Sequence, residues 1–154
     1  MTRTQLILAA TLGSAAVLAG AFAFQYIGGL APCQLCLWQR WPHAAAVVIG
    51  GLAVVLGTRL LPLLGALAAL TTAGIAAFHV GVEQKWWEGL ASCTAGSIEG
   101  ISTADLLNPA IIVAPPVRCD EIAWQLAGIS MAGWNMILSL VLVAIWLAAA
   151  RRRV

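Results

Sequence analysis

The stretch Leu60–Val82, LLPLLGALAALTTAGIAAFHVGV, carries no charged side chain, and its only polar residues are two threonines and a histidine. It is longer than the roughly 20 mostly apolar residues a helix needs to cross a bilayer core of about 30 Å. Three more charge-free apolar stretches lie outside it: Leu6–Gly29, Ala44–Leu56 and Ile129–Ala150. Over the whole chain of 154 residues, 62% are hydrophobic and 9% charged, with a mean hydropathy of +0.94. A soluble domain carries roughly 25% charged residues. This composition excludes a wholly soluble enzyme, a disordered tail and a nucleic-acid binder, and a net charge of +2 is too small to argue for a polyanion partner. What remains is an all-α membrane protein: one small domain, 1–154, built as a four-transmembrane-helix bundle.

The expected spans are about 6–29, 37–57, 60–82 and 129–150, with outer loops at about 30–36 and 83–128. Gly28-Gly29 favours an exit from the first helix. The second span needs its start near Cys36 or Leu37, because Pro42–Leu56 alone would cover only about 22 Å. A kink is then tolerated at Pro42, and Cys36 falls on the first helical turn at the outer membrane edge. Pro62 sits in the first turn of the third span, where its missing N–H costs little. The second loop is expected to be long and mostly irregular. Within it, Ser102–Asp105 precedes an apolar run up to Val113, which reads equally as a capped interfacial segment or as a plain apolar loop. Arg3, the first apolar run and the triplet Ala21-Phe22-Ala23 also suggest a signal peptide. The run exceeds the 7–15 residues usual for one, so a true span is expected.

With four spans both termini share one side. That side holds Arg3, Arg59, Arg151, Arg152 and Arg153 and no acid. The other holds Arg40, Lys85 and Arg118 with all six acids. The positive-inside rule therefore predicts cytoplasmic termini and an outer, oxidising location for both loops. Tyr26, Trp38, Trp41, Trp86, Trp87 and Trp124 fall near the outer boundary and Trp146 near the inner one, an aromatic-belt pattern.

All four cysteines, Cys33, Cys36, Cys93 and Cys119, lie in the outer connections. Cys33-Gln34-Leu35-Cys36 can close a small disulfide ring, and a thiolate at a helix N-terminus is stabilised by the dipole and by nearby cations. Arg40, four residues beyond Cys36, shares its helical face. A haem attachment is excluded because Leu37 follows Cys36 where that motif needs histidine. Four cysteines could ligate zinc, but Cys93 and Cys119 lack closely spaced companions, and no metal is expected. On spacing alone Cys93 and Cys119 read as a structural disulfide. The CxxC on the same face adds the reading of two dithiol pairs in exchange. Arg40 is either a snorkelling residue or a donor to a ligand oxygen. His79, one turn before the end of its span, is either a packed histidine or a proton relay, and His43 is weaker still.

The run Pro32-Cys33-Gln34-Leu35-Cys36-Leu37-Trp38-Gln39-Arg40 resembles the signature of the disulfide bond formation protein B (DsbB) family. The likeness extends to the four spans, the two cysteines of the second loop, and the stretches Cys119–Trp124 and Gly128–Asn135. The resemblance implies a bacterial inner-membrane protein-disulfide:quinone oxidoreductase that reoxidises a periplasmic DsbA-type thioredoxin-fold protein and passes electrons to ubiquinone or menaquinone. It makes Cys33 and Cys36 the quinone-proximal pair, Cys93 and Cys119 the partner-facing pair, and Arg40 and His79 quinone-binding residues. Position 39 is Gln where some relatives have an acid. The energetics agree. A DsbA-type disulfide lies near −120 mV, so an ordinary structural disulfide below about −300 mV falls short by about 8 kcal/mol, and a stronger acceptor is required. Two alternatives are a thiol-driven quinone reductase of the vitamin K epoxide reductase type, whose CxxC lies in the last span, and a non-enzymatic membrane protein with two structural disulfides.

Overall fold

The computed structural model describes residues 1–90 and 117–152. Helices α1 (Arg3–Tyr26), α2 (Gln34–Leu56), α3 (Leu60–Glu83) and α4 (Met131–Arg151) are each long and apolar enough to cross a membrane. Between α3 and α4 lies a small antiparallel hairpin, β1 (Gln125–Leu126) and β2 (Ile129–Ser130), in the register Leu126↔Ile129. The chain is a multi-pass membrane protein, and among the described residues its regular structure is all-α but for that hairpin. Cys93 and the segment 102–114 lie outside the described residues.

The helix ends follow local chemistry. Thr2 and Gln5 form a reciprocal capping box that starts α1 two or three residues before its apolar run. Cys33 caps α2, its sulfur accepting the Cys36 N–H at 3.3 Å, so this helix begins before the expected residue 37 and Pro42 lies inside it. Gly57, at φ 67°, ends α2 in the left-handed region that suits glycine. Arg3 donates to the carbonyls of Gly57 (2.9 Å) and Thr58 (2.5 Å), tying the N-terminus to the α2–α3 turn. Ser130 caps α4 through the Gly133 N–H at 3.1 Å. The hairpin turn places Ala127 and Gly128 both at positive φ, the signature of a type I′ turn.

α3 packs against α2 and α4, and α1 closes against the same two helices from the other side. The packing is that of a protein in lipid. Large apolar side chains face outward, Val55 at 81% and Leu12 at 66% exposure, while Ala10, Ala46, Ala53, Ala69, Ala73 and Ala76 are buried between helices. No hydrophobic drive separates helices from lipid tails, so close backbone approach and van der Waals contact hold the bundle. Trp146 departs from the belt pattern. It is fully buried, and a Cβ on Gly65 would lie 2.7 Å from its ring. The missing side chain at Gly65 opens the slot, so Trp146 fills the core between the helices instead of being exposed at a helix end. The rings of Tyr26, Trp41 and Trp86 are exposed.

Candidate functional site

Cys33 and Cys36 are free thiols with sulfurs 2.7 Å apart at the start of α2. The Cys33 thiol is pushed up, first by its hydrogen bond to the Cys36 sulfur and then by burial. One proton can be shared between the two sulfurs, and Cys36 is the one seated on the first turn at the positive end of the helix.

His79 and Glu83 reach this pair from α3. The His79 Nε2 lies 3.6 Å from the Cys33 sulfur and 3.9 Å from a Glu83 oxygen. The second Glu83 oxygen accepts from the Ser130 hydroxyl. The imidazole tautomer follows from its neighbours. Asn135 Nδ2 donates to Gln39 Oε1 at 2.6 Å, which turns the Gln39 amide nitrogen toward His79 Nδ1 at 3.0 Å. Nδ1 is thus an acceptor, and the His79 proton sits on Nε2, between the Cys33 sulfur and Glu83.

Cys119 is fully buried and packs in one cluster with Cys33, Leu35 and Val82. It is disulfide-bonded, and its backbone engages the His79 ring. The second-loop cysteine therefore lies beside the CxxC. Next to it, Arg118 forks onto Asp120 at 2.9 and 2.6 Å and reaches Glu121 at 3.2 Å. The guanidinium holds the Asp120 carboxyl below its usual range; Arg118 is exposed and Asp120 half-buried, so solvent screens the pair and its worth lies in shaping the segment.

Below the dithiol a cavity of about 570 Å³ opens between α1, α2 and α4 with the end of α3, lined by Cys36, Arg40, His43, His79, Trp134 and Asn135 among others. Gly13, Ala16, Gly20 and Ala21 of α1 leave the space, so the walls are mostly apolar. Arg40 leans on α1, donating to Gln25 Oε1 at 2.5 Å and to the Ala21 carbonyl at 3.4 Å, with its guanidinium 4.9 Å from the Phe22 ring centre. Its Nε is buried with no hydrogen-bond partner among the described residues.

Of the expected site residues, Cys33, Cys36, Arg40, His79 and Cys119 gather at the head of this cavity. The sequence reading missed Glu83 and Asn135 as members of the site, and noted Gln39 only as standing where some relatives have an acid. Glu83 reads from sequence as a capping residue, yet it is buried against Ser130 and His79. The available signal was polarity inside apolar spans, where such side chains are costly and mark function.

Two kinds of ligand come into question. The donor atoms of Cys33, Cys36 and His79 lie within 4.8 Å of one another. Two thiolates on one tetrahedral zinc sit about 3.8 Å apart, from Zn–S bonds of about 2.3 Å. The observed 2.7 Å is too close for that and belongs to a dithiol poised to form a disulfide. A quinone fits better. The cavity is apolar and of ligand size, and it is lined by Arg40 and His43, whose buried Nε and Nδ1 have no hydrogen-bond partner among the described residues.

A four-span bundle with a dithiol at the head of an apolar cavity defines a membrane thiol oxidoreductase. The family model described as "Disulfide bond formation protein DsbB" matches residues 3–149, and the chain belongs to that family. It is 30% identical to a disulfide bond formation protein B of Albidiferax ferrireducens, over 94% of this chain and 85% of the relative. It is 32% identical to that of Methylococcus capsulatus over 80% of this chain and 79% of the relative, and 26% identical to that of Hahella chejuensis over 92% and 90%. No solved structure matches the chain significantly. The protein is thus a disulfide-forming membrane oxidoreductase.

Proposed function

We propose that the protein reoxidises a DsbA-type thioredoxin-fold dithiol outside the bacterial inner membrane and hands the electrons to a membrane quinone. The observation that carries this reading is the burial of Cys119 against Cys33, which sets the loop cysteine beside the membrane-edge dithiol.

The electrons enter through a Cys93–Cys119 disulfide. A partner thiolate attacks Cys93, a mixed disulfide forms, and Cys119 leaves as thiolate. The second partner thiol then resolves the mixed disulfide and leaves Cys93 and Cys119 reduced. That dithiol in turn reduces the Cys33–Cys36 disulfide, an exchange between neighbouring sulfurs. The quinone, when bound, supplies a sink for two electrons and two protons. Arg40 and His79 would hold it against Cys36. Arg40, whose Nε has no hydrogen-bond partner among the described residues, would offer its guanidinium to a ligand oxygen where negative charge builds. His79, with Glu83 behind it, stands where it can accept the Cys33 proton once its own Nε2 proton has moved to the carboxylate. Each partner dithiol oxidised thus delivers two electrons and releases two protons to this cluster.

The orientation is part of the proposal and is open to direct test. Reporter fusions after Arg59 and after Val154 should be active only as cytoplasmic reporters, and a fusion after Gly100 only as a periplasmic one. A periplasmic signal after Val154 would put the cysteine loops in the reducing compartment and overturn the function.

A further inference from the structure

The inner end of the cavity holds a polar network that the reaction at the cysteines does not use. His43 lies on α2 one turn below Arg40, about 4.5 Å deeper along the axis, and both line the cavity. His43 is only 2% exposed. Its Nε2 lies 2.9 Å from Asn135 Oδ1 and 3.5 Å from the Ser139 hydroxyl.

The hydrogen-bond directions in this network are settled by count. The two Asn135 amide hydrogens go to Gln39 Oε1 at 2.6 Å and Thr72 Oγ1 at 3.3 Å, and the Thr72 hydroxyl goes on to the Gln39 carbonyl at 3.1 Å. Asn135 Oδ1 is then an acceptor toward α2, receiving the Ser139 hydroxyl at 3.2 Å as well. His43 must donate from Nε2, so in its neutral form Nδ1 carries no proton. That nitrogen is a buried acceptor with no hydrogen-bond partner among the described residues. An unsatisfied acceptor inside a membrane is costly, and such groups mark ligand positions.

We propose that His43 Nδ1 is a subsite for the hydroxyl of a reduced quinone, so that the cavity binds quinol more tightly than quinone. This rests on the quinone reading above. A quinone has only acceptor oxygens at its ring and leaves Nδ1 unpaired, whereas a quinol presents an O–H that satisfies it. Arg40 at the outer end and His43 one turn deeper then address opposite edges of the head group. Tighter binding of the reduced form makes the bound couple a stronger oxidant, by about 30 mV for each tenfold preference in a two-electron couple. That is the direction needed to draw electrons from a partner as oxidising as a DsbA-type protein.

The test uses the full-length chain with Cys36→Ser, which blocks electron exchange, and measures anaerobic binding of a short-tailed ubiquinone and of its quinol by filtration. The expected result is a preference for quinol of about tenfold. His43→Leu should remove it by weakening quinol binding about tenfold, with quinone affinity changed less than twofold. His43→Gln keeps a carbonyl acceptor and should retain part of the preference. Should His43→Leu not fold, His43→Phe keeps the ring shape and loses Nδ1. A histidine that only braces α2 against α4 would lower thermal stability and leave the ratio alone. An unchanged ratio in the apolar variants, or no preference in the His43 chain, overturns this proposal while leaving quinone binding intact. Failure of the His43 chain to bind either form overturns the quinone reading as well.

Discussion

A Cys36→Ser chain is expected to reduce quinone at less than a hundredth of the normal rate while still forming a mixed disulfide with its thioredoxin-fold partner. Cys36 faces the cavity, and the serine hydroxyl is neither a thiolate nor half of a disulfide. Cys33→Ser should lose quinone reduction too, because the pair then cannot close. The loop pair keeps its own chemistry in both variants. Cys119→Ser should instead lose partner oxidation, since Cys93 is then a lone thiol and the loop holds no disulfide for the partner thiolate to attack. Non-reducing electrophoresis and quinone absorbance separate these outcomes. Normal turnover with serine at Cys93 and Cys119 would make the loop pair merely structural.

Arg40→Lys is expected to slow quinone reduction or raise the KM for quinone about ten- to a hundred-fold, the loss of one charge-assisted hydrogen bond of roughly 1.5–3 kcal/mol. Lysine keeps the charge but has no planar fork, so it cannot contact Gln25 and Ala21 together while still offering a donor to the cavity. Dithiol exchange with the partner should be spared, because Arg40 lies on the cavity side of the cysteines. Both half-reactions should be measured in Arg40→Lys and Arg40→His. Normal quinone kinetics in both would return Arg40 to the lipid headgroups.

The spans were legible because crossing a bilayer demands long apolar runs, and no local ambiguity competes with that demand. The start of α2 was less so. Cys33 caps it with a sulfur, and cysteine is not among the residues whose type announces a cap. At the site, the CxxC, Arg40 and His79 could be picked out because their chemistry is unusual at a membrane edge. Gln39, Glu83, Asn135 and His43 act through contacts between residues far apart in sequence, such as His43 with Asn135, and no local pattern records such contacts. Trp146 shows the same limit, since its slot is made by a glycine on another helix. The hairpin at 125–130 rests on a type I′ turn whose first central residue is alanine, not the usual asparagine or aspartate.

The central claim is that partner thiols and a membrane quinone meet through this chain. The most direct test is to mix the purified protein with a reduced DsbA-type protein and a short-tailed ubiquinone, and to follow quinol and partner disulfide together. The account predicts about one quinol for each partner disulfide, with turnover that stops in Cys36→Ser. Partner oxidation without quinol, or no turnover from a folded protein that still carries all four cysteines, would contradict it.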